Sequence, residues 1–278
     1  VIEPIDWLDR WRRTVLERRA QADRWRGGPA REDDFWANSV SRFRELTAAM
    51  TEDEPFFAAL RATVRPDDTV LDIGAGAGRY ALTIAPYVRQ VVALDPSPAM
   101  CEALTSAMAE RGVTNIEVVR GRWPDDAHLV GSADVTICAH AMYWAEEIGP
   151  FLRAMDERTA REALLTLRIH SMDAWLGDLP LRLRGERRVP EPVALDLVGA
   201  LSAIGIWPDL RVVPGFLRSY GSLDELAAHV ATLLAFPPDD APLEFIREQV
   251  EPLVTKRDGR LVLDGPWRLV GIVSWRKS

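Results

Sequence analysis

The stretch Val70-Leu71-Asp72-Ile73-Gly74-Ala75-Gly76-Ala77-Gly78 constrains this chain more than any other. Apolar residues run into one carboxylate, and glycine then takes every second position. A buried parallel strand that breaks into a tight loop and opens a helix reads this way. Glycine lets such a loop adopt positive φ and lets a ligand approach main-chain atoms with no Cβ between. Farther on, Val91-Val92-Ala93-Leu94 ends in Asp95. Strand, glycine loop, helix, strand and terminal acid form a nucleotide-type binding unit, because two carboxylate oxygens accept from both hydroxyls of a ribose. The spacing Gly74-x-Gly76-x-Gly78 differs from the G-x-G-x-x-G of dinucleotide folds, and no Gly-Lys-Ser/Thr follows, which excludes a P-loop.

The segment Asp72-x-Gly74-x-Gly76-x-Gly78 resembles motif I of the class I S-adenosylmethionine-dependent methyltransferases, and Asp95 matches the acid that ends their second strand. The resemblance spans roughly residues 56–170. It implies an α/β chain: a Rossmann-like, doubly wound seven-stranded sheet, the class I methyltransferase fold, with a helical N-terminal extension and helical cap insertions. It also implies methyl transfer, with S-adenosyl-L-methionine as cofactor. Asp72 would then face the cofactor's ammonium, Gly74, Ala75, Gly76 and Gly78 would cradle it, and Asp95 would hold its ribose. Pro96 and Met100, in the turn where Ser97 caps the next helix and Pro98 begins it, would line the adenine. Residues 115–121 read as a third strand, which the family often follows with Gly-Asp. This chain has Gly121-Arg122-Trp123, and Arg122 cannot accept a hydrogen bond. The adenine contact is therefore missing or falls to Asp125 or Asp126, with Trp123 as a stacking partner. A fourth strand, 133–139, leads into His140-Ala141-Met142-Tyr143-Trp144, similar to the family segment that borders cofactor and substrate. Ala139 and His140 count among the expected cofactor contacts, Tyr143 and Trp144 among the acceptor contacts.

With 278 residues, 47% of them apolar, the chain can bury a substantial core. Its two cysteines, Cys101 and Cys138, fit neither a disulfide framework nor a zinc site and point to reducing cytoplasm. No membrane span or secretory signal is expected. A net charge of −8 argues against a nucleic-acid partner. Arginines gather at positions 10, 12, 13, 18, 19, 24 and 26, interleaved with acids as on a solvated helix face, and again at 182, 184, 187 and 188. The second group has only Glu186 beside it, which makes it the better candidate for an anionic ligand.

Residues 1–65 read as a helical extension and 66–278 as the cofactor-binding domain, with cap-forming segments at about 170–208 and 222–256. Trp7, Trp11 and Val15 recur at helical spacing until Gly27-Gly28-Pro29. That stripe suits packing on the domain or on a second copy, a helix-mediated homodimer. A second helix from about Asp33 carries Phe35, Trp36, Val40 and Phe43, and Phe43 or Trp36 is expected to close over the site. A fifth strand spans 163–169, a sixth 210–217. Ser222 and Glu225 form a capping box for a helix to about Ala235, and another helix covers 242–253. Residues 260–263 and 267–275 are expected to close the sheet as an antiparallel hairpin.

Displacement at a sulfonium needs alignment and exclusion of water more than strong acid–base help. His140 is the candidate base and His170 an acceptor contact, each placed just after a strand end. No metal-ligand spacing is visible. The sequence favours a small-molecule methyl acceptor. An RNA or protein methyltransferase, or a non-catalytic protein that binds the cofactor as a regulator, remains open at this point.

Overall fold

The computed structural model describes residues 5–29, 40–48 and 50–277. Phe35 and Trp36 lie outside the described residues.

Five parallel strands form the body of the sheet: β1 (Thr69–Ile73), β2 (Gln90–Asp95), β3 (Ile116–Arg120), β4 (Ala133–Ala139) and β5 (Thr159–Arg168). Two more complete it, β6 (Asp209–Pro214) and β10 (Leu269–Arg276), with β10 inserted antiparallel between β5 and β6. The order is β3-β2-β1-β4-β5-β10-β6, the seven strands expected. Alternation along the strands feeds two apolar layers. Leu71, Ile73, Cys138 and Leu165 pack on one side, while Val70, Val135, Ile137 and Leu164 pack on the other.

The first layer holds α1 (Trp7–Arg26), α6 (Ile148–Arg158) and α8 (Ala194–Ala203); the second holds α3 (Pro55–Thr63), α4 (Ala81–Ile84) and α5 (Pro98–Arg111). Helix starts follow local chemistry. Asp6 accepts the N–H groups of Leu8 and Asp9 to begin α1, and the Ser97 hydroxyl accepts from Met100 to begin α5. Gly27, at φ 75°, ends α1 in a left-handed cap.

The α1 stripe is core. Trp11 is fully buried, its indole donating to the Ala145 carbonyl at 2.8 Å, and Trp7 fills the space beside Gly199 on α8. Farther along, Arg18 pairs with buried Asp173 at 2.9 Å, and Arg188 reaches the same oxygen at 2.9 Å. Gln21 accepts from Val189 N–H and donates to the Arg187 carbonyl. α8, expected within a cap, belongs instead to the helical layer between β5 and β6.

The expected hairpin of 260–263 with 267–275 does not form. β9 (Arg260–Leu263) pairs with β7 (Arg218–Tyr220) and β8 (Thr255–Arg257) in a separate three-stranded sheet. β10 is apolar on both faces, as a strand sandwiched between helix layers must be, so it takes an interior place in the main sheet. Between β8 and β9, Asp258 and Gly259 both take positive φ, the two-residue turn that suits a hairpin. α9 (Leu223–Leu233) and α10 (Leu243–Val250) pack on this small sheet and enclose Trp175, Leu176 and Trp25 in a third apolar cluster. Ser222 caps α9 by accepting from Glu225 N–H, but the Glu225 carboxylate reaches Gly221 N–H rather than closing on the cap residue.

Candidate cofactor and acceptor site

β1, β4 and β5 all end at one edge of the sheet, where the glycine loop, the 140–144 segment and α2 (Val40–Ala48) meet. Gly74 takes φ 74°, and a Cβ there would lie 2.3 Å from Cβ of Ala141, so the loop and the segment after β4 can touch only because position 74 has no side chain. Gly76, at φ 56°, differs: a Cβ would meet nothing closer than Phe43 Cδ1, at 4.0 Å. Gly78 is a packing glycine, pressed by Leu104 and Leu82.

Asp95 is buried and oriented by two backbone donors, Gly76 N–H at 2.8 Å and Ser97 N–H at 2.9 Å. Its carboxylate thereby fixes the middle of the loop. Asp72, 1% exposed, has one carboxylate oxygen with no partner. Burial, reinforced by the Asp95 charge and opposed by the Ala81 N–H, pushes its pKa up to about 7. A buried carboxylate left in this state suits a cationic ligand group.

Phe43 on α2 packs with Met100, Ala77 and Ala103 beside the loop. Met100 is buried, Pro96 exposed and Ala139 half-buried. Gly121 N–H returns to the Asp95 carbonyl, and a Cβ at Gly121 would come within 3.0 Å of Asp126. Arg122 is exposed and its backbone N–H is taken by the Asp126 carboxylate. Trp123, expected as a stacking partner for the adenine, donates its indole N–H to the Phe151 carbonyl at 3.0 Å, and its ring meets Phe151 edge-on within the core layer under α6.

After β4, His140 stands at φ 57° with its N–H on the Thr166 carbonyl. Its Nδ1 lies 2.9 Å from the Tyr143 hydroxyl, the two rings stacked at 11°. Tyr143 is buried and also accepts the Arg168 backbone N–H at 3.0 Å. Burial, then Arg168, Arg79 and Arg218, hold the His140 pKa well below the ordinary histidine value. Trp144 is 46% exposed at the rim, and His170 is exposed beyond β5.

Arg168, Arg79 and Arg218 were not legible as site residues. Arg168 ends β5, lies 4.7 Å over the Tyr143 ring and pairs with Glu191 at 2.9 Å. The arginines that sequence singled out at 182–188 are used structurally: Arg184 donates to the carbonyls of Leu234 and Ala235, Arg187 pairs with Asp178, Arg188 with Asp173, and Arg182 bonds Gln249. Among the described residues, no group of three His, Cys, Asp or Glu side chains converges to hold a metal, and no helix is long and apolar enough to cross a membrane.

Residues 70–162 match the family model described as a methyltransferase domain. The chain is 33% identical over 119 residues to the uncharacterized methyltransferase YcgJ of Bacillus subtilis, covering 38% of this chain and 45% of that one. A protein-L-isoaspartate O-methyltransferase of Herpetosiphon aurantiacus is 35% identical over 79 residues, 27% of this chain and 35% of the relative. The chain thus spans less than half the length of these curated relatives. The crystal structure of the B. subtilis YcgJ protein superposes with a TM-score of 0.54 at 20% identity, covering 80% of this chain and 97% of that one. A putative methyltransferase from Bacillus halodurans gives 0.54 at 17%, covering 80% and 98%.

Proposed function

We propose that this protein, whose residues 70–162 match a methyltransferase domain, transfers a methyl group from S-adenosylmethionine to a small-molecule acceptor in the cytoplasm. The observation that carries the reading is the pairing of an orphaned buried carboxylate oxygen on Asp72 with a glycine cradle at Gly76 that a Cβ would fill. Both fit the cofactor: an ammonium satisfies Asp72, and a backbone stripped of side chains lets a nucleoside lie against it. Asp95, held by two backbone N–H groups, is placed for the ribose diol. Gly74, Ala75 and Gly78 shape the loop beneath, Met100 and Phe43 supply an apolar wall for the base, and Ala139 and His140 border the cofactor's far side.

When bound, the cofactor supplies an already activated methyl group. The chain's own work is then to hold the acceptor in line and keep water out. Tyr143 and Arg168 fix the His140 ring at the strand edge, and Trp144 and His170 stand where an acceptor would enter. Two features support a small acceptor over RNA: the acidic net charge, and the engagement of both sequence-level arginine groups inside the chain. The cytoplasmic reading draws support from Cys101 and Cys138, neither of which is in a disulfide. Trp11 is committed to the chain's own core, so the reading calls on no second copy.

Calorimetry with S-adenosylhomocysteine tests the cofactor assignment. We expect saturable 1:1 binding that weakens at least about tenfold in Asp95→Ala, from loss of charge-assisted contacts. Unchanged affinity in that variant contradicts the assignment. S-adenosylhomocysteine release above a buffer control, with small acceptors and not with RNA, tests the acceptor class.

A further inference from the structure

We propose that the methyl acceptor is an organic acid, held through its carboxylate or phosphate between Arg168 and Arg218 beside His140. The word acceptor rests on the methyltransferase reading above; the anion site rests on the following geometry alone.

β10 separates β5 from β6, and the three strands bring their ends into register at the site edge. Val270 lies opposite both Arg168 and Val213, and the chain leaves β6 at Gly215, whose N–H binds the Arg268 carbonyl. β7 begins three residues on with Arg218, so Arg218 rises at the edge where Arg168 ends β5. Residues alternate along β7, which puts Arg218 and Tyr220 on one face. The Tyr220 ring lies 5.8 Å from that of His229 on α9.

Three polar atoms in this group are buried with no partner: Nη1 of Arg218, Nε2 of His229 and, just past the glycine loop, Nε of Arg79. An unmet buried donor costs about 1–3 kcal/mol, more when charged. The rest of the chain does not tolerate that cost idly. Arg10, Arg18, Arg24, Arg161 and Arg188 each reach a carboxylate. Among the described residues, Glu191 is the acid paired with Arg168, and the oxygen that meets the Arg168 guanidinium also serves Met172 N–H. Burial and then Arg168 lower the Arg218 pKa, and burial followed by Arg218 and Arg42 brings His229 down to about 4. An oxyanion answers every element of this deficit: it pairs with a planar guanidinium fork in two-point fashion and accepts from neutral imidazole N–H. His140, within the field of the same arginines, borders the space where the acid's reacting end would meet the methyl group.

The test uses the full chain loaded with S-adenosylhomocysteine and follows its melting temperature against sodium benzoate and inorganic phosphate, with sodium chloride at matched ionic strength as reference. We expect a saturable rise with at least one of the two anions beyond chloride. Half-saturation should move up about tenfold in Arg218→Gln and by a smaller factor in Arg218→Lys, which keeps charge but loses the fork. Arg211→Gln, an exposed position on β6, should match the wild type. A response to benzoate alone identifies a carboxylate acceptor, and one to phosphate alone a phosphorylated acceptor. If neither anion exceeds chloride, or if both Arg218 variants respond as the wild type does, the proposal is overturned. Binding of S-adenosylhomocysteine is measured separately. Its absence alongside intact anion binding would remove the methyltransferase reading and leave the anion site standing.

Discussion

The Tyr143 hydroxyl lies 2.9 Å from Nδ1 of His140 while accepting the Arg168 backbone N–H at 3.0 Å. Burial pushes the Tyr143 pKa up to about 12, so the phenol keeps its single proton, and the remaining acceptor within reach is Nδ1. His140 then carries its own proton on Nε2. Burial and three arginines keep the ring neutral. A ring so arranged donates a hydrogen bond from Nε2; it is poorly set up as the general base that its place in the sequence invites. We propose it as a donor that orients the acceptor.

Nitrogen NMR should therefore find His140 neutral, with the proton on Nε2, from about pH 6 to about pH 8. In Tyr143→Phe the tautomers should mix, because Nδ1 loses its donor. A wild-type ring that titrates within that window contradicts the donor role. In turnover, His140→Ala should lower kcat about tenfold or more with S-adenosylhomocysteine affinity little changed.

Two glycines separate binding from folding. Gly76→Val places its side chain in open space, at a strain of about 1–2 kcal/mol for positive φ, and should abolish S-adenosylhomocysteine binding while leaving the circular dichroism spectrum intact. Gly78→Val places a Cβ 2.3 Å from Leu104 Cδ1 and should lower the melting temperature much further. Equal effects of the two changes would remove the cradle from the binding account.

Asp72 supplies a pH signature. Its folded pKa, about 7, lies above the unfolded value of 3.8, so the native state holds a proton that the unfolded state has already lost. Stability attributable to this group is present below pH 3.8 and falls as pH rises toward 7. Binding of a ligand ammonium draws the opposite way, because it requires the carboxylate. S-adenosylhomocysteine affinity should drop about tenfold from pH 8 to pH 6, with release of about one proton on binding at pH 6 and little at pH 8. Calorimetry in buffers of differing ionisation enthalpy measures both, and Asp72→Asn should flatten the pH dependence.

Asp173 sits between Arg18 and Arg188 with its side chain 2% exposed. Burial alone would raise its pKa, but Arg18, Ser171 and Arg188 together hold it below the ordinary carboxylate value. Its contribution to stability is present above pH 3.8 and disappears as pH falls through the depressed value. Asp173→Asn leaves two part-buried guanidinium groups without a counter-charge and should cost about 3 kcal/mol in urea unfolding. The wild-type advantage over the variant should shrink in acid.

The glycine loop, Asp95 and the alternating strands were legible because each is a local pattern with one physical meaning. Arg79, Arg168 and Arg218 were not, since a lone arginine in or beside a strand gives no sign of what it faces. Density of charge misled in the opposite direction: the arginines at 182–188 stand close in sequence but find carbonyls and acids within the fold. The sequence around Trp123 gives no sign that the core under α6 takes up its volume. The Asp258-Gly259 turn carried a strong hairpin signal between β8 and β9. The longer apolar run of β10 is the more conspicuous neighbour for β9 in the sequence, yet the two strands lie in different sheets.

The contacts of α1 also govern how the chain can be assembled. Trp11 and Arg18 find their partners 134 and 155 residues later, and Arg10 finds Asp196 after 186. During synthesis this amphipathic helix is made well before the fifth strand and the following loop, where its long-range partners lie. The fold therefore closes late, from both ends of a long interval, and a shielding chaperone would have its greatest effect on this protein during that wait.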